Sequence, residues 1–331
     1  MNNGKLSIKE IARLANTSVA TVSRVINGNG RFSKETEQRV REVIDRYNYQ
    51  PNMLAKSLRE DRMKAIGVIV SDITSDYFAG IVQEIESELF RHGYTAVICD
   101  TFENEEAEKR FMEMLGNLRF SGIIFVGGKR SKTLMSDLPI IYVDRKPPPA
   151  SMEKGSCFIG SDNYRGGCLA GERLMAAGRH NPAIVLFEDE LETQRQRLRG
   201  FRKALADHGR PLDPRCIFHV EHVTYEGGRQ VTERILRSGL HCDSVFYTSD
   251  ILAIGGAQYL NEAHVAVPEG IALMGMDDIP LSRRITPPLT TVRQQYRRFG
   301  ALAADSIIRM LKGETVEDLI LDVELIERAT V

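Results

Sequence analysis

Long apolar runs are missing from this chain of 331 residues, and none approaches the ~20 apolar residues needed to span a bilayer. No opening stretch has the apolar core of a secretory signal, so the expectation is a cytoplasmic protein without a membrane partner. Cysteine is scarce. Cys99, Cys157, Cys168, Cys216 and Cys242 are widely spaced, odd in number and free of any CxxC or Cys-His cluster, which excludes a disulfide framework and predicts reduced, structural thiols. Catalytic signatures are lacking too: there is no phosphate-cradling GxxxxGK[ST] loop, no GxSxG elbow and no metal-spaced cluster. Neither an enzyme nor a cofactor or metal is expected, and His219 and His222, three apart on a strand and its following loop, read as packing or surface residues.

Net charge is also nearly absent, at −1 for the whole chain, but the total conceals an asymmetry. Residues 1 to 60 hold 11 Lys and Arg against 6 Asp and Glu, whereas the rest hold 33 against 39. A cationic head neutralises phosphates and releases counterions, so its nucleic-acid affinity should fall steeply with salt.

Within that head, Ser7 followed by Glu10 is a capping box that starts a helix at Ile8. Ile8, Ile11, Ala12, Leu14 and Ala15 repeat at helical spacing until Asn16, which tolerates positive φ, allows a tight turn. Ser18 caps a second helix with Val22, Val25 and Ile26 inward and Val19, Ala20, Ser23 and Arg24 on the open side. A third helix follows Ser33 with Val40, Val43, Ile44 and Tyr47 inward, completing a helix-turn-helix arrangement.

From Ala65 short β-branched runs alternate with helices: Ile66–Val70, a helix near Phe78 to His92, Tyr94–Cys99, a helix near Glu103 to Leu115, then Gly122–Val126 and Ile140–Asp144. The series then restarts with strands at Ala183–Phe187, Ser244–Tyr247 and Ile271–Met274. The fold class is an all-α head plus two doubly wound parallel-sheet α/β lobes, facing each other across a cleft where ligands bind beyond the strands' carboxyl ends.

Val19-Ala20-Thr21-Val22-Ser23-Arg24-Val25, Tyr49-Gln50-Pro51-Asn52, Ala55-Lys56-Ser57-Leu58, Asp277-Asp278-Ile279-Pro280-Leu281 and Thr286-Pro287-Pro288-Leu289-Thr290-Thr291-Val292 resemble, in order, the signatures of the lac repressor family of bacterial transcription regulators, and the chain resembles its ribose- and sucrose-type sugar operon repressors. The resemblance implies a DNA-binding head (residues 1–50), a hinge helix and linker (51–64) and a periplasmic-binding-protein-like core (65–331). Lobe 1 would take about 65–161 and 294–322, lobe 2 about 162–293 and 323–331, with three crossovers between them. The family's two specificity positions fall on Val19 and Ala20, which suit thymine methyls and close helix approach rather than bidentate hydrogen bonds. Arg24 is the reading helix's best guanine contact, while Thr17, Ser18, Thr21, Ser23 and Asn27 suit phosphate oxygens. In the hinge, Asn52, Ala55, Lys56, Leu58 and Arg59 are the implied contacts. Leu58 matches the leucine that wedges between base pairs, a kink that only paired hinges support, so the resemblance implies a homodimer on a near-palindromic double-stranded operator.

The same resemblance puts effector candidates at Asp72, Tyr77, Phe78, Asp144, Arg145, Asp162, Thr193, Arg197, Ser249, Asp277 and Gln294. Carboxylates and an arginine around an aromatic suit a polyhydroxylated ligand, so a sugar comes first and a sugar phosphate second. Two departures stand out: Val223 replaces an aromatic found in several sugar-binding members, and Ser249 replaces a frequent asparagine. Asp250 is expected to cap a helix, Asp278 to be a loop carboxylate, and Tyr225 to open a helix. The helices at 78–92 and 251–261 could carry the dimer face, although their apolar stripes could equally be lobe core. The leading expectation is an effector-released repressor of a carbohydrate-utilisation operon. A co-repressor- or phosphoprotein-dependent regulator and a sugar-binding protein without regulatory role are the alternatives.

Overall fold

The computed structural model describes residues 6–49, 63–128, 138–148, 152, 155–187 and 191–331. The chain divides into two compact units, Met1–Met63 and Lys64–Val331. Among the described residues, three helices build the first: α1 (Ile8–Leu14), α2 (Val19–Asn27) and α3 (Lys34–Arg46). Each starts at a serine whose hydroxyl accepts from the third helical amide, Ser7 from Glu10, Ser18 from Thr21 and Ser33 from Thr36. At α1 the box closes, because the Ser7 amide donates to Glu10 Oε2 at 2.6 Å, and that bond holds the Glu10 carboxyl below its ordinary range. Such caps satisfy amides that a helix start leaves unpaired, and each is worth about 1 kcal/mol. Asn16 turns the chain with a left-handed φ of 48°.

Ile11, Ala12, Ala15, Val22, Val25 and Val40 form the head's core. Leu14 and Tyr47, expected inward, are 40% and 46% exposed. Leu14 ends a seven-residue helix whose other apolar positions already fill the small core, and Tyr47 is the C-cap of α3, past its helical repeat.

The second unit holds two six-stranded sheets. In the first, β1 (Met63–Val70), β2 (Thr95–Asp100), β3 (Phe120–Val126), β4 (Ile140–Val143), β5 (Cys157–Ser161) and β11 (Leu319–Leu321) lie in the order β11-β5-β4-β3-β1-β2. The second joins β6 (Pro182–Phe187), β7 (Ile217–Val220), β8 (Ser244–Tyr247), β9 (Ala272–Asp277), β10 (Thr290–Arg293) and β12 (Glu324–Ile326) in the order β12-β10-β9-β8-β6-β7. Substituting β6 to β10 for β1 to β5 makes the two orders identical, so the restart of the strand series is an internal repeat. β12 runs antiparallel to β10, while β9 pairs with β10 and β4 with β5 in parallel. The chain passes between sheets three times: after β5, after β10 and between β11 and β12. Strands β3, β4, β5, β6, β8 and β9 are buried along their whole length, as a parallel sheet covered on both faces requires.

The covering helices are α4 (Asp76–Arg91), α5 (Glu105–Asn117), α6 (Asn163–Ala176), α7 (Glu192–Asp207), α8 (Tyr225–Arg237), α9 (Asp250–Glu262) and α10 (Tyr296–Leu311). Glycines bring α6 against α7 and α8 against α9 at backbone contact. A Cβ at Gly167 or Gly200 would lie 2.0 Å from the carbonyl oxygen of Arg197 or Tyr164 on the facing helix, and one at Gly255 would lie 2.0 Å from that of Tyr225. Gly300 of α10 meets Ile81 of α4 similarly. Most apolar side chains of α4 and α9 are buried inside the unit, while Phe90 near the end of α4 is 76% exposed. Among the described residues no helix is long and apolar enough to cross a membrane.

Candidate functional site

The strands' carboxyl ends deliver polar side chains to one cavity of about 270 Å³ between the sheets. From the first sheet, Asp72 follows β1, Tyr77 and Phe78 open α4, and Asp144 and Arg145 follow β4. From the second, Thr193 and Arg197 come from α7, Ser249 follows β8, Asp277 ends β9 and Gln294 follows β10. Asp162 is the exception among the sequence-derived candidates. Its carboxylate caps α6, accepting from the Arg165 amide at 2.8 Å, and does not line the cavity; its neighbour Asn163 serves the cleft instead, by holding Arg197.

Arg197 is buried, donating from Nε to Asn163 Oδ1 and from Nη1 to the Thr248 carbonyl, each at 2.7 Å. Arg145 donates to both Glu103 oxygens, at 2.9 and 3.0 Å, with its guanidinium 5.6 Å from the Phe78 ring and 5.7 Å from the Phe187 ring. Because Phe78 opens α4, which covers the first sheet, and Phe187 ends β6 of the second, this cation touches both walls of the cleft. The Tyr77 hydroxyl donates to Asp144 Oδ1 at 2.7 Å; burial first, then the Asp144 charge, pushes its phenol well above the ordinary range.

Asp144 and Asp277 occupy equivalent places in the two repeats, the ends of β4 and β9, and both have positive φ, 70° and 127°. Such backbone conformations are unfavourable for a non-glycine residue and concentrate at binding sites. Asp277 accepts from Ser249 Oγ at 2.9 Å and Gln294 Nε2 at 2.7 Å. Burial, followed by the charge of Asp250, raises its carboxyl, against the lowering influence of Arg197 and these two donors. Gln294 is 2% exposed, and its Oε1 has no hydrogen-bond partner among the described residues. A hydroxyl of a bound ligand would satisfy it.

Sequence reasoning missed Phe102, Glu103, Phe187, Gln194 and Thr248, all lining the cavity. Each follows or ends a strand or opens the next helix, so the rule of ligands beyond strand ends could have found them. His222 is exposed at the surface, as expected, and also lines the cavity, since the turn after β7 carries it, Val223 and Thr224 there. Tyr225 opens α8, as expected. Asp250 does not cap α9, whose N-cap residue is Ser249. Its buried carboxylate accepts from the Ile279 amide at 3.0 Å and the hydroxyls of Ser282 and Thr291 at 2.5 Å, fixing the loop that follows Asp277. Asp278 is a loop carboxylate bridged to Arg293 and Arg328. Burial would raise it, but these hydrogen bonds prevail and hold it below its ordinary range. No group of three His, Cys, Asp or Glu among the described residues could hold a metal ion.

In the head, Ala20 and Arg24 are exposed on α2, whereas Val19 is half-buried against the head's core. Ser18 and Thr21 share a hydrogen bond of 2.9 Å between their hydroxyls at the start of α2, with Thr17 half-buried beside them. Ser23 lies half-buried one turn on. Asn27 ends the helix backbone before Gly28, whose φ of 66° closes it. The hinge candidates Asn52, Ala55, Lys56, Leu58 and Arg59 lie outside the described residues.

Comparison with known proteins agrees with this architecture. Residues 7–52 match bacterial regulatory proteins of the lacI family, and residues 172–331 match the periplasmic binding protein-like domain. The HTH-type transcriptional repressors PurR of Histophilus somni (strain 2336) and Pasteurella multocida (strain Pm70) are 30% and 31% identical, over 98% of this chain and 98% of theirs. Among solved structures, a lac repressor dimer bound to operator and the anti-inducer ONPF is 25% identical with a TM-score of 0.87, covering 98% of this chain and 99% of that one. A transcriptional regulator CelR–cellobiose complex is 25% identical with a TM-score of 0.74, covering 99% and 100%. The capped helix-turn-helix head, the repeated α/β core and these full-length relatives together show that the chain belongs to the lacI family of bacterial regulatory proteins and is a transcriptional repressor of that family.

Proposed function

We propose that this chain binds a near-palindromic operator as a homodimer in the cytoplasm, and that a sugar or sugar derivative held in the cleft lowers its operator affinity. The observation that carries the effector assignment is the cleft itself. Carboxylates and arginines from both sheets surround one cavity beside aromatic rings, with the acceptor Gln294 Oε1 left open. A polyhydroxylated ring supplies paired hydroxyls to the charged groups and an apolar face to Phe78 or Phe187. The CelR–cellobiose relative supports the ligand class, and the operator-bound lac repressor dimer supports the partner and assembly.

A ligand touching both walls favours one setting of the two lobes over another. Carried through residues 51–64, the proposed hinge, that preference alters how two heads present Val19, Ala20 and Arg24 to DNA. Coupling of this kind is reciprocal, so operator weakens effector binding by the same factor. The relatives are named as repressors, which supports a binding role rather than catalysis; turnover of nitrophenyl glycosides would overturn that part.

A thermal-shift panel of sugars, sugar phosphates, nucleosides and purines on the full chain tests the ligand class. A ligand at a hundred times its Kd stabilises by ~2.7 kcal/mol, enough to move the melting temperature by several degrees. A shift by a sugar or sugar phosphate is expected. A shift by purines or nucleosides alone contradicts the sugar assignment, and silence favours a protein partner.

A further inference from the structure

The thiols of Cys216 and Cys242 lie 3.9 Å apart, sulfur to sulfur. Cys216 closes the short turn Pro214–Cys216 that leads into β7, and Cys242 sits in the loop between α8 and β8. Since β6 lies between β7 and β8 in the sheet, the two sulfurs meet at the amino end of β6. Asp243 pins the same end by accepting from the amides of His180 and Asn181, at 2.6 and 3.1 Å. The effector cleft takes its residues from the opposite, carboxyl ends of these strands, so neither thiol belongs to it.

The pair is reached from the surface on two sides. Cys242 is partly exposed, and Cys216 borders a separate surface cavity of about 340 Å³ lined also by His180, Asp213, Leu240 and His241. Among the described residues no other two thiols lie within hydrogen-bonding distance of each other. Cys157, for instance, donates to the Glu317 carbonyl at 3.0 Å.

We infer that Cys216 and Cys242 form an oxidisable thiol pair that peroxide closes slowly to an intramolecular disulfide. One sulfur attacks the peroxide O–O bond, giving a sulfenic acid and one water; the second thiol then displaces the sulfenic hydroxyl as another water and the S–S bond forms. Two thiols and one hydrogen peroxide thus become one disulfide and two waters, with two electrons passing from the sulfurs to the peroxide oxygens. A disulfide bond is about 2.05 Å long, so from 3.9 Å the sulfurs must approach by roughly 2 Å. Burial raises both thiols, Cys242 to about 12, so thiolate is scarce at neutral pH and the reaction is slow. Once formed, the bond closes a loop between positions 26 apart in sequence and ties β7 to β8 across β6. Its main effect is to constrain the unfolded chain, and the melting temperature should rise.

The test is mass spectrometry of the full chain after hydrogen peroxide, followed by denaturation and alkylation. Of the five thiols, wild type is expected to alkylate at three, to yield a linked peptide joining Cys216 to Cys242, and to recover all five after dithiothreitol. Cys216→Ser and Cys242→Ser, each checked for folding by its melting transition, should keep all four remaining thiols. Five alkylated thiols in treated wild type, a bridge to another cysteine, or equal thiol loss in the serine variants would each overturn the assignment.

Discussion

At the scale of single residues, the base contact proposed for α2 rests on how Arg24 is presented. Its exposed stem passes Gly30 closely enough that a Cβ there would lie 3.0 Å from Arg24 Cδ, so a larger residue at that position would displace it. Arg24→Ala is expected to cost about 1 to 3 kcal/mol on the operator and to relax preference at one base pair. Equal losses on operator and random duplex, measured by anisotropy, would mark a phosphate contact instead. In the cleft, Asp277 has its carboxyl raised by burial and by Asp250, so the folded chain holds that proton more tightly than the unfolded chain does. The contribution to stability is therefore full in acid and is lost as pH climbs from the ordinary carboxyl value of about 4 through the raised one. Asp277→Asn removes this loss. Its melting temperature relative to wild type should improve steadily from about pH 5 to pH 8, and a constant difference would contradict the assignment.

Among the elements, glycine spacing decides how the core's helices pair. A methyl at Gly200 meets a backbone carbonyl of α6 that no rotamer change can move aside. Gly200→Ala should destabilise by about 1 to 3 kcal/mol or more in urea titration, because the α6–α7 pair must separate, while an unchanged midpoint would show that the contact is not needed. Where helices and strands lie is largely legible in the sequence. Serine caps, Asn16 and the alternating apolar runs are local signals, and local chemistry governs where helices and strands begin. What a side chain does across the fold is not local. Asp250 stands where an N-cap is expected, yet its carboxylate turns inward to Ser282 and Thr291, more than thirty residues away. Leu14 fits the helical repeat, but the core beside it is already full. Of the cleft residues, those following β1, β4 and β9 are recognisable from family signatures. Glu103, Phe187 and Gln194 carry no such signature, and only their places at strand ends and helix starts point to the cleft.

For the whole molecule, the repeated sheet puts two equivalent strand-end aspartates, Asp144 and Asp277, in one cavity, and Arg145 contacts an aromatic ring from each side. A binding site built from two halves reports their relative setting, which is what an effector-controlled repressor requires. The basic head, with 11 Lys and Arg against 6 acids in residues 1 to 60, would supply the DNA affinity that the proposed effector modulates. The most direct test is the Kd of the full chain for an operator recovered from a random-sequence pool, measured without ligand and again at saturation with a sugar that shifts its melting temperature. A near-palindromic operator whose Kd rises by roughly 5- to 150-fold with ligand is the predicted result. An identical Kd in both conditions would contradict effector control.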